Sequence, residues 1–230
     1  FLNQFAYKKR NYTNAKILAI TGSTGKTSLK NLINNILKKF GKTFCSPKSY
    51  NNHFGVPLSL SQLSINDKYG VFEVGMSKAG EINTLTKLIR PNLAIITNIG
   101  EAHIENFKNT KGIAEAKGEI IDNVQKKGTI ILNRDDKYFS YLHRKAKFKN
   151  LKVTSFGMSR QSDVHPILIK KNSSETKLIL NIKGKIFKTQ IKNINIYNVL
   201  ASLALLKELN LNIEKILNYF KYYEPTEGRG

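Results

Sequence analysis

Cysteine is nearly missing from this 230-residue chain, where Cys45 stands alone. One thiol cannot make an internal disulfide framework, and a reducing, cytoplasmic compartment is expected. Acidic residues are scarce too: 16 Asp+Glu stand against 38 Lys+Arg, a formal net charge of +22. Long apolar runs are absent. None approaches the roughly 18 residues that a membrane-spanning helix needs, so no span is expected. Neither internal repeats nor low-complexity tracts break the chain.

The surplus charge raises the question of nucleic acid, because a basic patch gains affinity by releasing counterions. Its distribution argues against that. The basic residues are mostly Lys in scattered pairs such as Lys38-Lys39 and Lys170-Lys171, without the interleaved aromatics of an RNA-binding motif. No dedicated nucleic-acid binding is expected, although a positive field would help collect anionic substrates.

What is there is a globular pattern. Hydrophobic residues make up 40% of the chain, and 230 residues can bury one large core or two small ones. Apolar strand candidates at 17–21, 71–75, 93–97, 129–132 and 153–156 alternate with helical patterns near 28–39, 80–88, 113–124 and 137–144. That alternation predicts an α/β fold, a mostly parallel sheet with helices on both faces. Residues 177–182 and 186–191 flank Lys183-Gly184-Lys185 and predict a small antiparallel β excursion. Helices near 197–209 and 213–220 follow.

The most informative stretch is Thr21-Gly22-Ser23-Thr24-Gly25-Lys26-Thr27-Ser28, between the run Ile17-Leu18-Ala19-Ile20 and an amphipathic segment. A strand, a glycine turn, a lysine, two hydroxyls and a helix make a phosphate cradle. Gly22 and Gly25 let backbone N–H groups face phosphate oxygens, the helix N-terminus adds positive charge, and Lys26 reaches the terminal phosphates. Thr27 can hold a magnesium ion. Gly-x-x-Gly-Lys-Thr is two residues shorter than the usual Walker A spacing.

Further segments bear on what the nucleotide is used for. Glu73 ends the strand Val71-Phe72-Glu73-Val74-Gly75 among apolar neighbours, which calls for a cation partner. His103 follows the next strand in Thr97-Asn98-Ile99-Gly100-Glu101-Ala102-His103, as a metal ligand or a surface imidazole. Lys117 lies in the helical pattern Ala114-Glu115-Ala116-Lys117-Gly118-Glu119. Asn195 and Asn198 open a helix three residues apart, able to read an adenine edge or to cap the helix.

Together and in this order these motifs resemble the central ATPase domain of the Mur ligases, over nearly the whole chain from about Lys16 to Arg229. Lys48-Ser49-Tyr50-Asn51-Asn52-His53-Phe54-Gly55-Val56-Pro57 and Glu73-Val74-Gly75-Met76-Ser77-Lys78-Ala79-Gly80-Glu81-Ile82 look most like the branch that joins D-Ala-D-Ala to a UDP-MurNAc-tripeptide. The resemblance implies an ATP-dependent amide ligase working through an acyl phosphate, in cytoplasmic synthesis of the cell-wall peptide precursor. It implies ATP contacts from Gly22, Ser23, Thr24, Gly25, Lys26, Thr27, Ser28, Asn133, Asp136, Asn195 and Asn198. Two magnesium ions are implied, with Thr27, Glu73, His103 and a carbamylated Lys117 as ligands. Asn51 and Asn52 fall on the substrate side. Arg229, in Gly228-Arg229, would approach the γ-phosphate, and Lys26, Lys117, His103 and Arg229 are the candidate catalytic groups.

The partners implied are UDP-MurNAc-peptide and D-Ala-D-Ala, and a monomer is expected. Residues 1–15 would connect from a preceding domain, 16–223 would form the ATP-binding ligase domain, and 224–230 would lead on to another, in a piece of a longer polypeptide. Two departures from the family pattern stand out: Lys192-Asn193-Ile194 replaces Gly-Arg-His before the Asn pair, and Met76-Ser77-Lys78 replaces Ala-Asn-His. Other readings stay open. One is a ligase of the same superfamily acting on another amino acid or on a folate polyglutamate, another is an amidating subunit, and a third is a P-loop ATPase of a different class.

Overall fold

The computed structural model describes residues 1–224. Among them nine strands form one sheet: β1 (Lys16–Thr21), β2 (Thr43–Cys45), β3 (Tyr69–Glu73), β4 (Leu93–Ile96), β5 (Thr129–Asn133), β6 (Lys152–Phe156), β7 (Val164–Lys171), β8 (Thr176–Ile182) and β9 (Lys185–Ile191). Their order is β2-β3-β1-β4-β5-β6-β7-β8-β9. Neighbours from β2 through β7 pair in parallel, whereas β7, β8 and β9 pair antiparallel. The expected α/β architecture with its antiparallel excursion is therefore present.

Alternation along β1 divides the core in two. Ile17 and Ala19 face α1 (Leu2–Tyr12), α3 (Gly55–Ser61), α4 (Glu81–Ile89), α5 (Thr110–Gly118) and α6 (Phe139–Phe148). Leu18 and Ile20 face α2 (Lys26–Leu37) and α7 (Ile196–Glu208), with α8 (Glu214–Leu217) and α9 (Tyr219–Tyr222) beyond. Successive side chains on a strand point to opposite faces, so a strand covered on both sides must be apolar throughout. Helix α2 answers with Leu29, Leu32, Ile33 and Ile36 in the core, the i, i+3, i+4, i+7 stripe of an amphipathic helix.

Several elements were not expected. Residues 2–12, read as a connector, form α1. Buried Arg10 clamps it to the end of α4, with Nε donating to the Ile89 carbonyl at 2.6 Å and Nη2 to the Arg90 carbonyl at 2.7 Å. A cation suits carbonyls left over at a helix C-terminus. Strand β2 has three residues and α3 has seven, too short for a periodic signal. The helix expected at 113–124 starts at Thr110, where the Asn109 side chain accepts from the Gly112 N–H, and tightens into a 3-10 turn over Glu119–Asn123. The hairpin between β8 and β9 turns on Lys183 and Gly184, with φ of 48° and 87°. Positive φ at both central residues matches the right-handed twist of the strands. No helix among the described residues is long and apolar enough to cross a membrane.

Candidate nucleotide-binding site

The registers Ile20↔Glu73 and Thr21↔Ile96 set the C-terminal ends of β1, β3 and β4 side by side. Open α/β sheets bind ligands at such ends. Here the chain leaves β1 through Gly22, whose φ is 149°; a Cβ there would lie 1.9 Å from Thr97 Oγ1, so only glycine fits. Gly25, with φ of 77°, caps α2. The residues after β4 brace the loop. Thr24 N–H donates to Asn98 Oδ1 at 3.0 Å, Ser23 N–H to the Asn98 carbonyl at 2.9 Å, and Thr97 Oγ1 to the Thr24 carbonyl at 2.7 Å. Gly100 N–H donates to Ser23 Oγ at 2.8 Å. Lys26 curls over the loop it follows, its Nζ 2.8 Å from the Gly22 carbonyl and 3.3 Å from that of Ser23.

Glu73 is 1% exposed, and its carboxylate is met by donors. Thr27 Oγ1 donates to its Oε2 at 2.9 Å, Asn51 Nδ2 to its Oε1 at 2.8 Å, and its own N–H donates to Ser46 Oγ at 3.2 Å. Lys30, equally buried, brings Nζ to 3.7 Å from Oε2. The same ammonium donates to the carbonyls of Ser46 and Lys48. One lysine thus ties α2, the 46–51 loop and the β3 carboxylate together, with the donors that a buried charge requires.

Lys117 descends from α5 to the same loop. It is 2% exposed, and its Nζ donates to the Gly22 carbonyl at 3.2 Å. Burial first, and the nearby Lys26 charge second, lower its pKa from 10.5 to about 7. An ordinary lysine at pH 7 is neutral in well under 1% of molecules; burial makes the neutral amine of this one far more abundant.

A cleft of about 990 Å³ opens in front of the loop and Glu73; Gly22 and Lys117 are not among the residues that line it. Ser23, Thr24, Gly25, Lys26, Thr27, Ser28, Asn51, Glu73, Asn133, Asn195 and Asn198 line it, with Phe156, Ile194, Tyr197 and Tyr223 adding apolar surface. Asn195 also caps α7, accepting from the Tyr197 N–H at 2.8 Å.

Three further sequence candidates stand outside the cleft lining. Asp136 spends its carboxylate on the Ile99 N–H at 2.6 Å and the Tyr138 N–H at 2.8 Å, outside the cleft lining. Asn52 Oδ1 accepts from the N–H groups of Phe54 and Gly55, fixing the turn into α3. His103, 47% exposed in a left-handed turn, has Glu105 at 3.8 Å and does not line the cleft. Arg229 lies outside the described residues.

Sequence reasoning missed Lys30, Asn98, Asp135 and Tyr197. Lys30 left a signal, a charge set among the apolar positions of α2. Asp135 accepts from the Met158 and Ser159 N–H groups and from the Tyr197 hydroxyl at 3.0 Å, which steadies a ring that lines the cleft.

A glycine loop between a central parallel strand and a helix, braced by the adjoining strand and facing a buried carboxylate, defines a nucleotide-binding α/β domain of P-loop type. The Mur ligase middle domain model matches residues 20–206, and the chain belongs to that family. It is 37% identical over 218 residues to the UDP-N-acetylmuramoyl-tripeptide–D-alanyl-D-alanine ligase of Buchnera aphidicola (from Acyrthosiphon pisum), covering 94% of this chain and 48% of that protein. It is 34% identical to the enzyme of the same name from Rickettsia prowazekii, covering 100% of this chain and 52% of the other. The chain therefore spans about half the length of the curated relatives it matches. Among solved structures, MurF from Acinetobacter baumannii superposes with a TM-score of 0.92 at 28% identity, over 99% of this chain and 50% of that one. The MurF ligase of Thermotoga maritima in complex with ADP gives 0.83 at 25% identity, over 92% of this chain and 49% of that one.

Proposed function

We propose that this chain is the ATP-binding part of a ligase that joins D-alanyl-D-alanine to a UDP-N-acetylmuramoyl-tripeptide, in cytoplasmic assembly of the cell-wall peptide precursor. The observation that carries the reading is the junction at the ends of β1 and β3, where the Gly22–Ser28 loop meets a carboxylate already hydrogen-bonded to Thr27. The relatives that share this domain bear the name of that reaction.

A carboxylate is a poor electrophile toward an amine. Its oxygen attacks the γ-phosphorus, the bond to the β-phosphate oxygen breaks, and ADP leaves an acyl phosphate. The amine nitrogen then attacks the acyl carbon, phosphate departs, and the nitrogen loses a proton to give the amide. Two anions must meet in the first step, so the protein's task is positioning and positive charge. Lys26 swings from its loop carbonyls onto the terminal phosphates, and the N–H groups of the loop hold the β-phosphate.

The donor set suits magnesium. No group of three His, Cys, Asp or Glu forms a cage among the described residues, and one carboxylate with one hydroxyl, Glu73 and Thr27, is what a magnesium ion takes when phosphates and water complete its shell. Bound there, it would neutralise charge on the transferring phosphoryl group. In this reading the amine of Lys117 takes up carbon dioxide as a carbamate, a carboxylate on a long arm for a second magnesium. Asn133, Asn195 and Asn198, which line the cleft, would meet the nucleoside, and Asn51, hydrogen-bonded to Glu73, would face the acid substrate.

The test uses the full-length protein, with UDP-MurNAc-tripeptide, D-Ala-D-Ala and ATP, and follows the amide product by mass and phosphate release together. Lys26→Ala should lower turnover at least about a hundredfold, the effect of losing one contact of roughly 3 kcal/mol in the transition state. Product formation by that variant at the normal rate would remove the phosphate assignment. ATP hydrolysis indifferent to both peptide substrates would instead favour a P-loop ATPase of another class.

A further inference from the structure

Thr21 closes β1 with a hydroxyl that no described residue uses. It is 0% exposed, and its hydroxyl oxygen has no hydrogen-bond partner among the described residues. Four apolar residues precede it in the strand, and valine would fill the same space without leaving a buried hydroxyl unsatisfied. Alternation puts Thr21 on the face of Ile17 and Ala19, which is the face covered by α5. From α5, Lys117 reaches the carbonyl of the very next residue, Gly22. That carbonyl is the one acceptor Lys117 Nζ meets among the described residues, so an under-used amine and an unused hydroxyl lie on the same side of the sheet, one residue apart.

We infer that Thr21 is a positioning residue, its hydroxyl donating to a carbamate formed on Lys117. The inference rests on the carbamylation proposed above and adds the group that receives the product. The neutral Nζ attacks carbon dioxide, a C–N bond forms, one C=O electron pair moves onto oxygen, and the nitrogen loses a proton to solvent. The new carboxylate extends about 2 Å beyond Nζ, from bonds of about 1.3 Å and 1.2 Å, and it can only accept hydrogen bonds. Thr21 holds the donor that this acceptor lacks. Lys26, the cation that acts on Lys117, contributes charge but is itself turned toward the Gly22 and Ser23 carbonyls. Hydrogen bonds to charged groups are the stronger kind, so the donor should weigh on the equilibrium between amine and carbamate.

The experiment loads the full-length protein with 13C-bicarbonate, without nucleotide or peptide, and reads the carbamate carbon by NMR against total inorganic carbon. Lys117→Met identifies the signal. Thr21→Val, which keeps the shape and removes the donor, should need about tenfold more inorganic carbon for half-occupancy, and Thr21→Ala should behave alike should the valine variant fold poorly. Thr21→Ser, which keeps the hydroxyl, should stay within about twofold of the parent. Equal occupancy in Thr21→Val, Thr21→Ala and the parent overturns the role of Thr21 while leaving the carbamate standing. A parent spectrum identical to that of Lys117→Met removes the carbamate, and the inference with it.

Discussion

The pair of Lys30 and Glu73 offers a quantitative test of how the site is held. Their charged atoms are 3.7 Å apart and both side chains are 1% exposed. At an effective dielectric of about 20, that separation corresponds to an attraction of about 4.5 kcal/mol, against which the loss of hydration of both ions must be set. Lys30→Met removes the cation and leaves the carboxylate to Thr27 and Asn51, while the Ser46 and Lys48 carbonyls lose the Lys30 ammonium. Stripping one partner from a buried pair destabilises by about 3–5 kcal/mol. Glu73→Gln should cost less, about 2 kcal/mol, because Lys30 keeps its two carbonyl acceptors.

In the double variant the stranded charges vanish together. The cycle should therefore return a coupling of about 2–4 kcal/mol, with the double variant far more stable than the sum of the singles implies. Urea unfolding of the chain at neutral pH, extrapolated linearly to water, supplies the four free energies. Additivity within about 0.5 kcal/mol would refute the argument. Lys30 would then matter only as a tether for the 46–51 loop.

Other expectations follow from the same geometry. Gly22→Ala meets both a 1.9 Å approach to Thr97 Oγ1 and a φ that disfavours side chains, so it should destabilise by about 3 kcal/mol and abolish ADP binding by calorimetry. Gly184→Ala, with φ of 87° and nothing within 4 Å, should cost only about 1 kcal/mol. Asn98→Ala, which removes the brace on the Thr24 N–H and hydroxyl, should weaken ADP binding about tenfold with little change in the melting temperature. Lys117 has its pKa lowered from 10.5 to about 7 on folding. Between those values the unfolded chain holds a proton that the folded one lacks, so stability rises with pH across that window, by about 1.4 kcal/mol per unit at most. The difference between the parent and Lys117→Met, measured free of inorganic carbon, should climb from pH 7.5 to 9.5; a flat difference would show that the amine titrates normally.

How much of this was legible depends on whether a residue's role is local. The Gly22–Ser28 loop announces itself because a glycine turn, a cation and a helix N-terminus must follow one another in the chain. Glu73 is legible because a carboxylate inside an apolar strand demands a partner. The hairpin at Lys183-Gly184 is legible because its turn chemistry sits in consecutive residues. Helix α1 was not, since its anchor lies in the distant carbonyls of Ile89 and Arg90, with which Arg10 has no relation in sequence.

Asp135 and Asp136 make the point most sharply. They are adjacent and chemically identical, yet one accepts from Met158, Ser159 and the cleft-lining Tyr197 while the other ties Ile99 to Tyr138. The two serve different partners as the chain turns away from β5, and only the neighbours in space decide which groups each carboxylate holds. Thr97 and Asn98 follow the same logic. They brace the phosphate loop because β4 lies beside β1 in the sheet, with the chain from α2 through α4 between them. Local chemistry specifies the cradle, and strand order specifies what holds it still.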